Sequence, residues 1–502
     1  MTLPRHLHLL LLACCLLAAP LARAADEKEG KKEDDKPQPP VVTEHETTIG
    51  GETFKYTATA GKMQMKDDSG KVKAEIFSIA YTRNDTDVAK RPITFCFNGG
   101  PGSASVWLHM GMLGPQRVRV PDDASTPVPP YTTEHNPYSL LDVTDLVFID
   151  PVSTGYSRPA EGEDTKQFHG YEEDLKSVGQ FIHDFVTKHE RWTSPKFVLG
   201  ESYGGVRSAG LSGTLQDHYS MYLNGIVMIS PVVDFSTIRF ADNNDLPYVL
   251  FLPSYTATAW YHGKLSKELQ EKSLEEVVAE SEKFAYGLYS RAMLMGSSLP
   301  KKQMDKAVKR FAELTSLDEK YVRNSNLRVP MWRFGRELLR DEGYTVGRFD
   351  SRFKGVDRDN VSERYDYDAA DAAITGVFGA GMNDYLRRVL KYEDERKYIL
   401  GGGVRRWNYG SFENRYVDAS ETLRSEMSKN PHLKLFVACG YYDLATPQFA
   451  FRYTKDHLML VPEYLDRVQV EKYEAGHMMY ILDPAAKKLR EDLIEWYDSA
   501  TP

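Results

Sequence analysis

The sequence predicts an α/β fold: a mostly parallel central sheet with an antiparallel N-terminal edge and an inserted helical cap. Three observations support this prediction. Short, continuously apolar runs recur along the chain, which is typical of parallel strands covered on both faces. One segment between two such runs has helical periodicity, as a βαβ crossover requires. The N-terminal region instead alternates polar and apolar residues between turns that contain glycine.

Length and composition indicate a large globular protein. The chain has 502 residues, of which 41% are hydrophobic and 27% charged, so a large core can form. A single core stops growing at about 250–300 residues. We therefore predict one core domain, residues 45–252 and 400–502, that carries a cap subdomain at residues 253–399.

The first 24 residues resemble a secretory signal peptide. Arg5 precedes a leucine-rich stretch, and Ala22-Arg23-Ala24 forms a small-X-small cleavage site. The apolar stretch is too short to cross a membrane. Residues 25–44 are rich in charge and proline, which predicts a flexible leader. We expect a secreted or periplasmic protein.

Each predicted element of the core follows from a local pattern. Alternation between His45 and Asp85, interrupted at Gly50-Gly51 and at residues 68–70, predicts antiparallel hairpins. Helical periodicity predicts a crossover helix at residues 172–186 and a terminal helix that begins at Asp483-Pro484. The parallel strands are predicted at residues 93–97, 146–149, 197–199, 226–229, 435–439 and 468–473.

Residues 253–399 lack the short apolar strands that recur in the rest of the chain. Residues 265–289 and 301–314 have helical patterns, and the remainder is rich in Arg, Asp, Tyr and Gly. Such a cap either shapes a pocket above the sheet or has a purely structural or dimer-forming role.

Ser202 is the first candidate functional residue. It is the centre of Gly200-Glu201-Ser202-Tyr203-Gly204, directly after an apolar strand and before a segment with helical potential. A nucleophilic serine requires this strand, tight turn and helix, because the turn exposes the hydroxyl above the sheet.

A serine hydroxyl needs a base and a carboxylate that orients this base. Asp443 follows the predicted strand 435–439, and His477 follows the strand 468–473. The carboxyl ends of parallel strands are where α/β active sites are built. The order Ser, Asp, His is that of α/β hydrolytic enzymes and differs from the order in chymotrypsin or subtilisin.

The glycine-rich segment 98–102 follows the strand 93–97. Its backbone amides are placed to stabilise an oxyanion in acyl transfer. A phosphate cradle is the rival interpretation, but no Gly-Lys-Ser/Thr follows.

Charge and residue types argue against other functional classes. Removal of Arg5 and Arg23 with the signal changes the net charge from −9 to −11, so we expect no nucleic-acid partner. Cys96 and Cys439, the cysteines outside the signal, are predicted to be buried and unpaired. The 13 histidines include no His-Glu-X-X-His, so neither a metal nor another cofactor is expected.

Four blocks, residues 98–102, 150–157, 200–204 and 476–478, together resemble the serine carboxypeptidases, a family with the α/β-hydrolase fold. The resemblance spans most of residues 90–235 and 430–485. It implies the following roles: Ser202 as nucleophile, His477 as base and acid, Asp443 as its orienting carboxylate, the amides of Gly100 and Tyr203 as oxyanion donors, and Asn98 and Glu201 as ligands of the substrate's terminal carboxylate.

If Glu201 binds another carboxylate, it must be protonated in the complex, and burial and like charge would raise its pKa. One departure from the family concerns this subsite, because Met112 stands where the resemblance implies a second glutamate. Exopeptidase selectivity is then either relaxed or supplied by another group such as His109. Met112 and Met478 are our candidates for the pocket lining. A second departure is that Met479-Tyr480 follows Met478 in place of Val-Pro.

The sequence therefore predicts a secreted serine carboxypeptidase that acts on peptide or protein C-termini through an acyl-enzyme on Ser202. Two alternatives remain. An esterase or acyltransferase would use the same three residues, and the Met112 difference favours it. A catalytically inactive binding protein would keep only the fold.

Overall fold

The protein is built around a twisted sheet whose strands are almost completely buried at its centre. The computed structural model describes residues 38–501. The predicted signal peptide, residues 1–24, and the leader up to residue 37 lie outside the described residues. Residues from 38 onward form one compact unit.

The strands are β1 Val41–Ile49, β2 Glu52–Lys66, β3 Val72–Arg83, β4 Ile93–Phe97, β5 Gln116–Val118, β6 Thr133–His135, β7 Asp145–Ile149, β8 Arg158–Pro159, β9 Lys196–Glu201, β10 Gly225–Ile229, β11 Thr345–Val346, β12 Lys354–Gly355, β13 Lys434–Gly440 and β14 Val468–Tyr473.

The α-helices are α1 Val106–Leu108, α2 Tyr171–Lys188, α3 Gly204–Gly213, α4 Leu246–Tyr261, α5 Lys267–Gln270, α6 Leu274–Phe284, α7 Ser290–Met295, α8 Lys301–Thr315, α9 Glu319–Asn324, α10 Met331–Glu337, α11 Ala369–Asp384, α12 Ser420–Lys429, α13 Gln448–Asp456, α14 Pro462–Leu465 and α15 Asp483–Ala500. Short π-helical turns include His109–Leu113, and short 3₁₀ turns include Met479–Ile481.

The main sheet has the strand order β1-β2-β3-β7-β4-β9-β10-β13-β14, and β8 pairs with β3. β2 is antiparallel to both β1 and β3, and β3 is antiparallel to β7. From β7 to β14 every neighbouring pair is parallel. The predicted parallel sheet with an antiparallel N-terminal edge is therefore confirmed.

The predicted leader extends too far in one respect. β1 begins at Val41 and pairs with β2 up to Ala60, so residues 41–44 belong to the sheet. Their alternation of partly buried and exposed side chains is that of an edge strand with one covered face.

Two hydrophobic cores lie on opposite faces of the sheet. In β9, Phe197 and Leu199 contribute to one core together with Trp496 of α15. Val198 points to the other core, where Val178 of α2 packs. Because side chains alternate along a strand, a continuously apolar run serves both cores at once.

A third core belongs to the helices inserted between β10 and β13, which are neighbours in the sheet. It is formed largely by α4, α6 and α8. Helix α4 begins at Leu246, seven residues before the cap boundary expected at residue 253. The division into core domain and cap subdomain stays a prediction.

Two smaller findings concern cysteines and membranes. Cys96 and Cys439 are buried and unpaired in the part of the chain that the structure describes, as predicted. Among residues 38–501, no helix combines the length and apolarity that crossing a bilayer requires.

Candidate active site

Ser202 lies on the sharp turn between β9 and α3. Its φ is +62°, a left-handed conformation that is strained for a residue with a Cβ. The backbone holds this conformation from both sides: the N–H of Ser202 donates to the Ile229 carbonyl at 3.0 Å, and its carbonyl accepts from the Gly205 N–H at 2.9 Å. Strain of this kind is maintained where a side chain must be presented in one direction.

The glycine-rich loop packs directly against this turn. A Cβ on Gly99 would lie 2.4 Å from the Tyr203 nitrogen and 2.6 Å from the Glu201 carbonyl oxygen, so only glycine fits. The amides of Gly100 and Tyr203 donate no hydrogen bond to any other group within residues 38–501. The two predicted oxyanion donors thus stand next to Ser202 with their N–H groups available.

A buried ion pair between Arg207 and Asp174 holds the glycine-rich loop in place. The guanidinium of Arg207, on α3, donates to the Asn98 carbonyl at 2.5 Å and to both oxygens of Asp174 at 2.7 and 3.1 Å. Asp174 is on α2, and both side chains are almost fully excluded from solvent. Helices α2 and α3 and the glycine-rich loop are therefore fixed relative to one another by charged hydrogen bonds.

Asp443 and His477 contact each other at the carboxyl ends of β13 and β14. Nδ1 of His477 lies 2.8 Å from Oδ2 of Asp443, and both side chains are buried. A carboxylate can only accept, so Nδ1 carries the proton and Nε2 is left as a proton acceptor. The backbone N–H groups of Ala445 and Thr446 donate to Oδ1 of Asp443 at 2.7 and 3.0 Å, which fixes the carboxylate.

The pKa of His477 is raised above its ordinary value. Burial acts to lower it, but the negative charge of Asp443, the hydrogen bond to Asp443 and the charge of Glu201 together outweigh burial. A base of raised pKa takes up a proton more readily, which favours transfer from a serine hydroxyl.

Ser202 and His477 line the same pocket, which has a volume of about 240 Å³. Glycine-loop residues 98–103, Trp107, Phe349, Ile374 and Met478 contribute to its walls. No hydrogen bond joins the Ser202 hydroxyl to His477 among the described residues. Catalytic hydrogen bonds often tighten only when substrate is bound.

Glu201 places a buried carboxyl in this pocket. Its side chain is 3% exposed, and burial raises its pKa to about 7, although His477 and a hydrogen bond from Tyr480 act in the opposite direction. The Tyr480 hydroxyl donates to Oε2 of Glu201 at 2.5 Å. Nδ2 of Asn98 also lines the pocket and is buried; it lies close enough to Glu201 to act, like Tyr480, against the rise in the pKa of Glu201, although this contact is outside ordinary hydrogen-bond geometry.

Neither Met112 nor His109 takes the place, in the pocket, of the second glutamate that the family resemblance implies. Met112 is buried in the core and does not line the pocket, unlike Met478, so this candidate for the lining is wrong. The His109 ring bonds the Tyr81 hydroxyl at 2.7 Å and stacks on Phe148, and burial lowers its pKa to about 3. The short turn that carries both residues packs into apolar surroundings, which explains the methionine.

Tyr480 is a residue that sequence reasoning missed. A Cβ on Gly111 would lie 2.3 Å from its ring, so the ring packs on the turn that carries Met112 and reaches Glu201 from there. The only sign of Tyr480 in the sequence was that Met479-Tyr480 follows Met478, where the family resemblance implies Val-Pro. Arg348, Phe349, Asp371 and Ile374 of the insertion also line the pocket, and no motif marked them.

A family model described as serine carboxypeptidase matches residues 53–338, more than half of the chain. The chain belongs to the serine carboxypeptidase family. The matched residues include the glycine-rich loop and Ser202, whereas Asp443 and His477 lie beyond the match.

Curated relatives are also serine carboxypeptidases. The retinoid-inducible serine carboxypeptidase of Rattus norvegicus is 24% identical over 257 residues, which are 46% of this chain and 52% of that protein. A pheromone-processing carboxypeptidase of Saccharomyces cerevisiae is 31% identical over 147 residues, 28% of this chain and 19% of that protein. The chain thus matches about half or less of the length of these family members.

A solved structure of a prohormone-processing carboxypeptidase from Saccharomyces cerevisiae has the same fold. Its TM-score is 0.51 at 14% identity, and the alignment covers 88% of this chain and 91% of that one. This serine carboxypeptidase family member therefore has the α/β-hydrolase fold, as the sequence predicts.

Proposed function

We propose that the protein is a secreted serine carboxypeptidase that hydrolyses C-terminal peptide bonds through an acyl-enzyme on Ser202. The observation that carries the proposal is the pocket, in which a buried carboxyl of raised pKa, that of Glu201, and a buried amide donor, that of Asn98, lie beside Ser202 and His477. A protonated carboxyl and an amide donor bind a carboxylate, so the substrate's last residue would be held next to the nucleophile.

The proposed reaction has two steps. The oxygen of Ser202 forms a bond to the carbonyl carbon of the last peptide bond, while His477 takes the hydroxyl proton and Asp443 stabilises the resulting imidazolium. The amides of Gly100 and Tyr203 stabilise the oxyanion. The carbon–nitrogen bond breaks as His477 protonates the leaving amine. Water then attacks the acyl-enzyme with His477 as base, which releases the shortened peptide.

Glu201 makes this activity depend on pH. Ionised Glu201 would repel the substrate carboxylate, whereas protonated Glu201 donates a hydrogen bond to it. The pKa of Glu201 is raised to about 7, so kcat/KM for a blocked dipeptide acid is expected to fall as pH rises through this value. Two pH units higher the loss should be about 100-fold. At low pH kcat/KM should also fall, because protonated His477 cannot act as a base; this fall is the acidic limb of the profile.

Further substrates and variants distinguish the alkaline limb of the pH profile, which we assign to Glu201, from the acidic limb, which we assign to His477. The corresponding dipeptide amide and ester lack the carboxylate, so their pH profiles should keep only the acidic limb. Glu201→Gln retains a donor that cannot ionise and should remove the alkaline limb for the acid. Tyr480→Phe removes a hydrogen bond that lowers the pKa of Glu201, so it should move this limb to higher pH. An alkaline limb that is identical for acid and ester would contradict the role of Glu201.

The same comparison tests the second candidate function, an esterase or acyltransferase. Met112 favours it, because a buried methionine stands where the family resemblance implies a second glutamate. If the ester is hydrolysed and the dipeptide acid is not cleaved at any pH, the second candidate is correct and the carboxypeptidase proposal is wrong.

Secretion is proposed from residues 1–24, whose pattern supports a cleaved signal. N-terminal sequencing of the protein recovered from the periplasm or medium should begin at Ala25. A protein that retains Met1 would argue against export by this signal.

A further inference from the structure

Arg348 lines the same pocket as Ser202 and His477, and within residues 38–501 it is the only lysine or arginine that does so. Its side chain is only partly exposed. Among residues 38–501, no carboxylate lies within 4.0 Å of the guanidinium, and no hydrogen bond from it is formed. A guanidinium has five donors, so this one is available to a ligand in the pocket.

The backbone of Arg348 is fixed by the two loops that carry the catalytic residues. Its carbonyl accepts from the Leu444 N–H at 3.0 Å, one residue after Asp443. The next carbonyl, that of Phe349, accepts from the His477 N–H at 2.6 Å. The Phe349 ring also packs on the His477 ring, with centroids 5.1 Å apart. Arg348 is therefore held in a constant position relative to His477.

Two carboxylates lie near Arg348, and neither neutralises it directly. Asp368 accepts hydrogen bonds from the backbone N–H groups of Arg348, Phe349 and Ala370 at 3.0 to 3.2 Å, and it makes no ion pair with the guanidinium of Arg348. Asp371 is one turn into α11, is exposed and lines the pocket. The pocket thus presents the cation Arg348, the exposed carboxylate Asp371 and the buried carboxyl of Glu201, whose pKa is raised to about 7.

We propose that Arg348 is a specificity-determining residue that binds a carboxylate of the substrate. This inference rests on the proposed function and adds a substrate class, peptides with a carboxylate close to the scissile bond. The carboxylate is either the terminal one or the side chain of an Asp or Glu on either side of the bond. The planar guanidinium of an arginine can bind either the terminal or the side-chain carboxylate, because it donates two parallel hydrogen bonds to one carboxylate group.

The experiment compares the wild type with Arg348→Gln on blocked dipeptide acids that carry Glu or Gln at the penultimate or the last position, and on a neutral dipeptide ester. If Arg348 binds the side chain, the variant should lower kcat/KM by about 10- to 100-fold for the Glu peptides alone. If it binds the terminal carboxylate, kcat/KM should fall by the same factor for all acids. Because Arg348 acts to lower the pKa of His477, the ester is measured at a pH above the acidic limb, and there its kcat/KM should change by less than about 2-fold in both cases.

Two further variants serve as controls. Arg348→Lys keeps the charge without the fork and should recover part of the preference. Asp371→Asn alters the same pocket without removing the cation, so it should not lower the preference for carboxylates. A loss with Asp371→Asn equal to that of Arg348→Gln would contradict a specific role of Arg348.

The outcomes also distinguish the inference from the proposed function. An equal loss with Arg348→Gln on the acids and the ester, or no loss at all, would overturn the inference while the wild type remains an active carboxypeptidase. A wild type that cleaves none of the dipeptide acids would contradict the proposed function and this inference with it.

Discussion

Replacing Ser202 with alanine is expected to lower kcat for the peptide substrate by about 10⁶-fold, since the acyl-enzyme can no longer form. Labelling by a fluorophosphonate, which reacts with activated serines, should disappear completely. The fold should persist, because the turn is held by backbone hydrogen bonds to Ile229 and Gly205 that a substitution of the side chain leaves intact. Labelling that persists in the variant would show that another residue is the nucleophile.

Comparison of Ser202→Gly with Ser202→Ala measures how much the strained backbone at this residue lowers stability. Both substitutions remove the hydroxyl, but only glycine adopts φ of +62° without strain. We expect the free energy of unfolding of Ser202→Gly to exceed that of Ser202→Ala by about 1 kcal/mol. Urea unfolding of the two inactive variants measures the difference. Equal stabilities would mean that the turn stores no strain at this residue.

Replacing Gly99 with alanine is expected to lower kcat by about 10²- to 10³-fold, comparable with the loss of an oxyanion donor. The new Cβ would lie within 2.8 Å of the Tyr203 nitrogen, the Glu201 carbonyl oxygen and the Gly204 nitrogen. All three are backbone atoms that cannot rotate away. The glycine-rich loop must therefore move, and the Gly100 amide moves with it. Steady-state kinetics on peptide and ester should show the same loss in kcat.

Gly401 provides the control for this substitution. It lines the same pocket, but a Cβ on Gly401 would meet no atom within 4 Å. Gly401→Ala should therefore change kcat by less than about 2-fold. A Gly99→Ala variant that is as active as Gly401→Ala would contradict the proposed contact between the loop and the nucleophile turn.

The ends of the six parallel strands could be predicted within two residues because the signal of these strands is local. Residues 197–199 and 226–229 are apolar without interruption, and the structure places both inside strands that serve two cores. The positions of Ser202, Asp443 and His477 were also predictable, since each follows such a strand. Their roles stay predictions until the variants are measured.

The remainder of the pocket depends on contacts between segments that are distant in sequence. Tyr480 reaches Glu201 across 279 residues, and the sequence around Tyr480 carries no sign of this contact. Helix α11 was missed because its three glycines weaken the helical pattern, and Arg348 comes from an irregular segment. Met112 was misassigned because an alignment position does not reveal which way a side chain points.

The position of the insertion also determines when the protein can become active during synthesis. Strand β10 pairs with β13, but more than 200 residues separate them in the chain. Asp443 and His477 are synthesised more than 240 residues after Ser202. A growing or truncated polypeptide that stops before β13 therefore has the proposed nucleophile without the proposed base. Its β10 edge stays open until β13 has been made, so we expect such incomplete chains to lack activity and to be prone to aggregate.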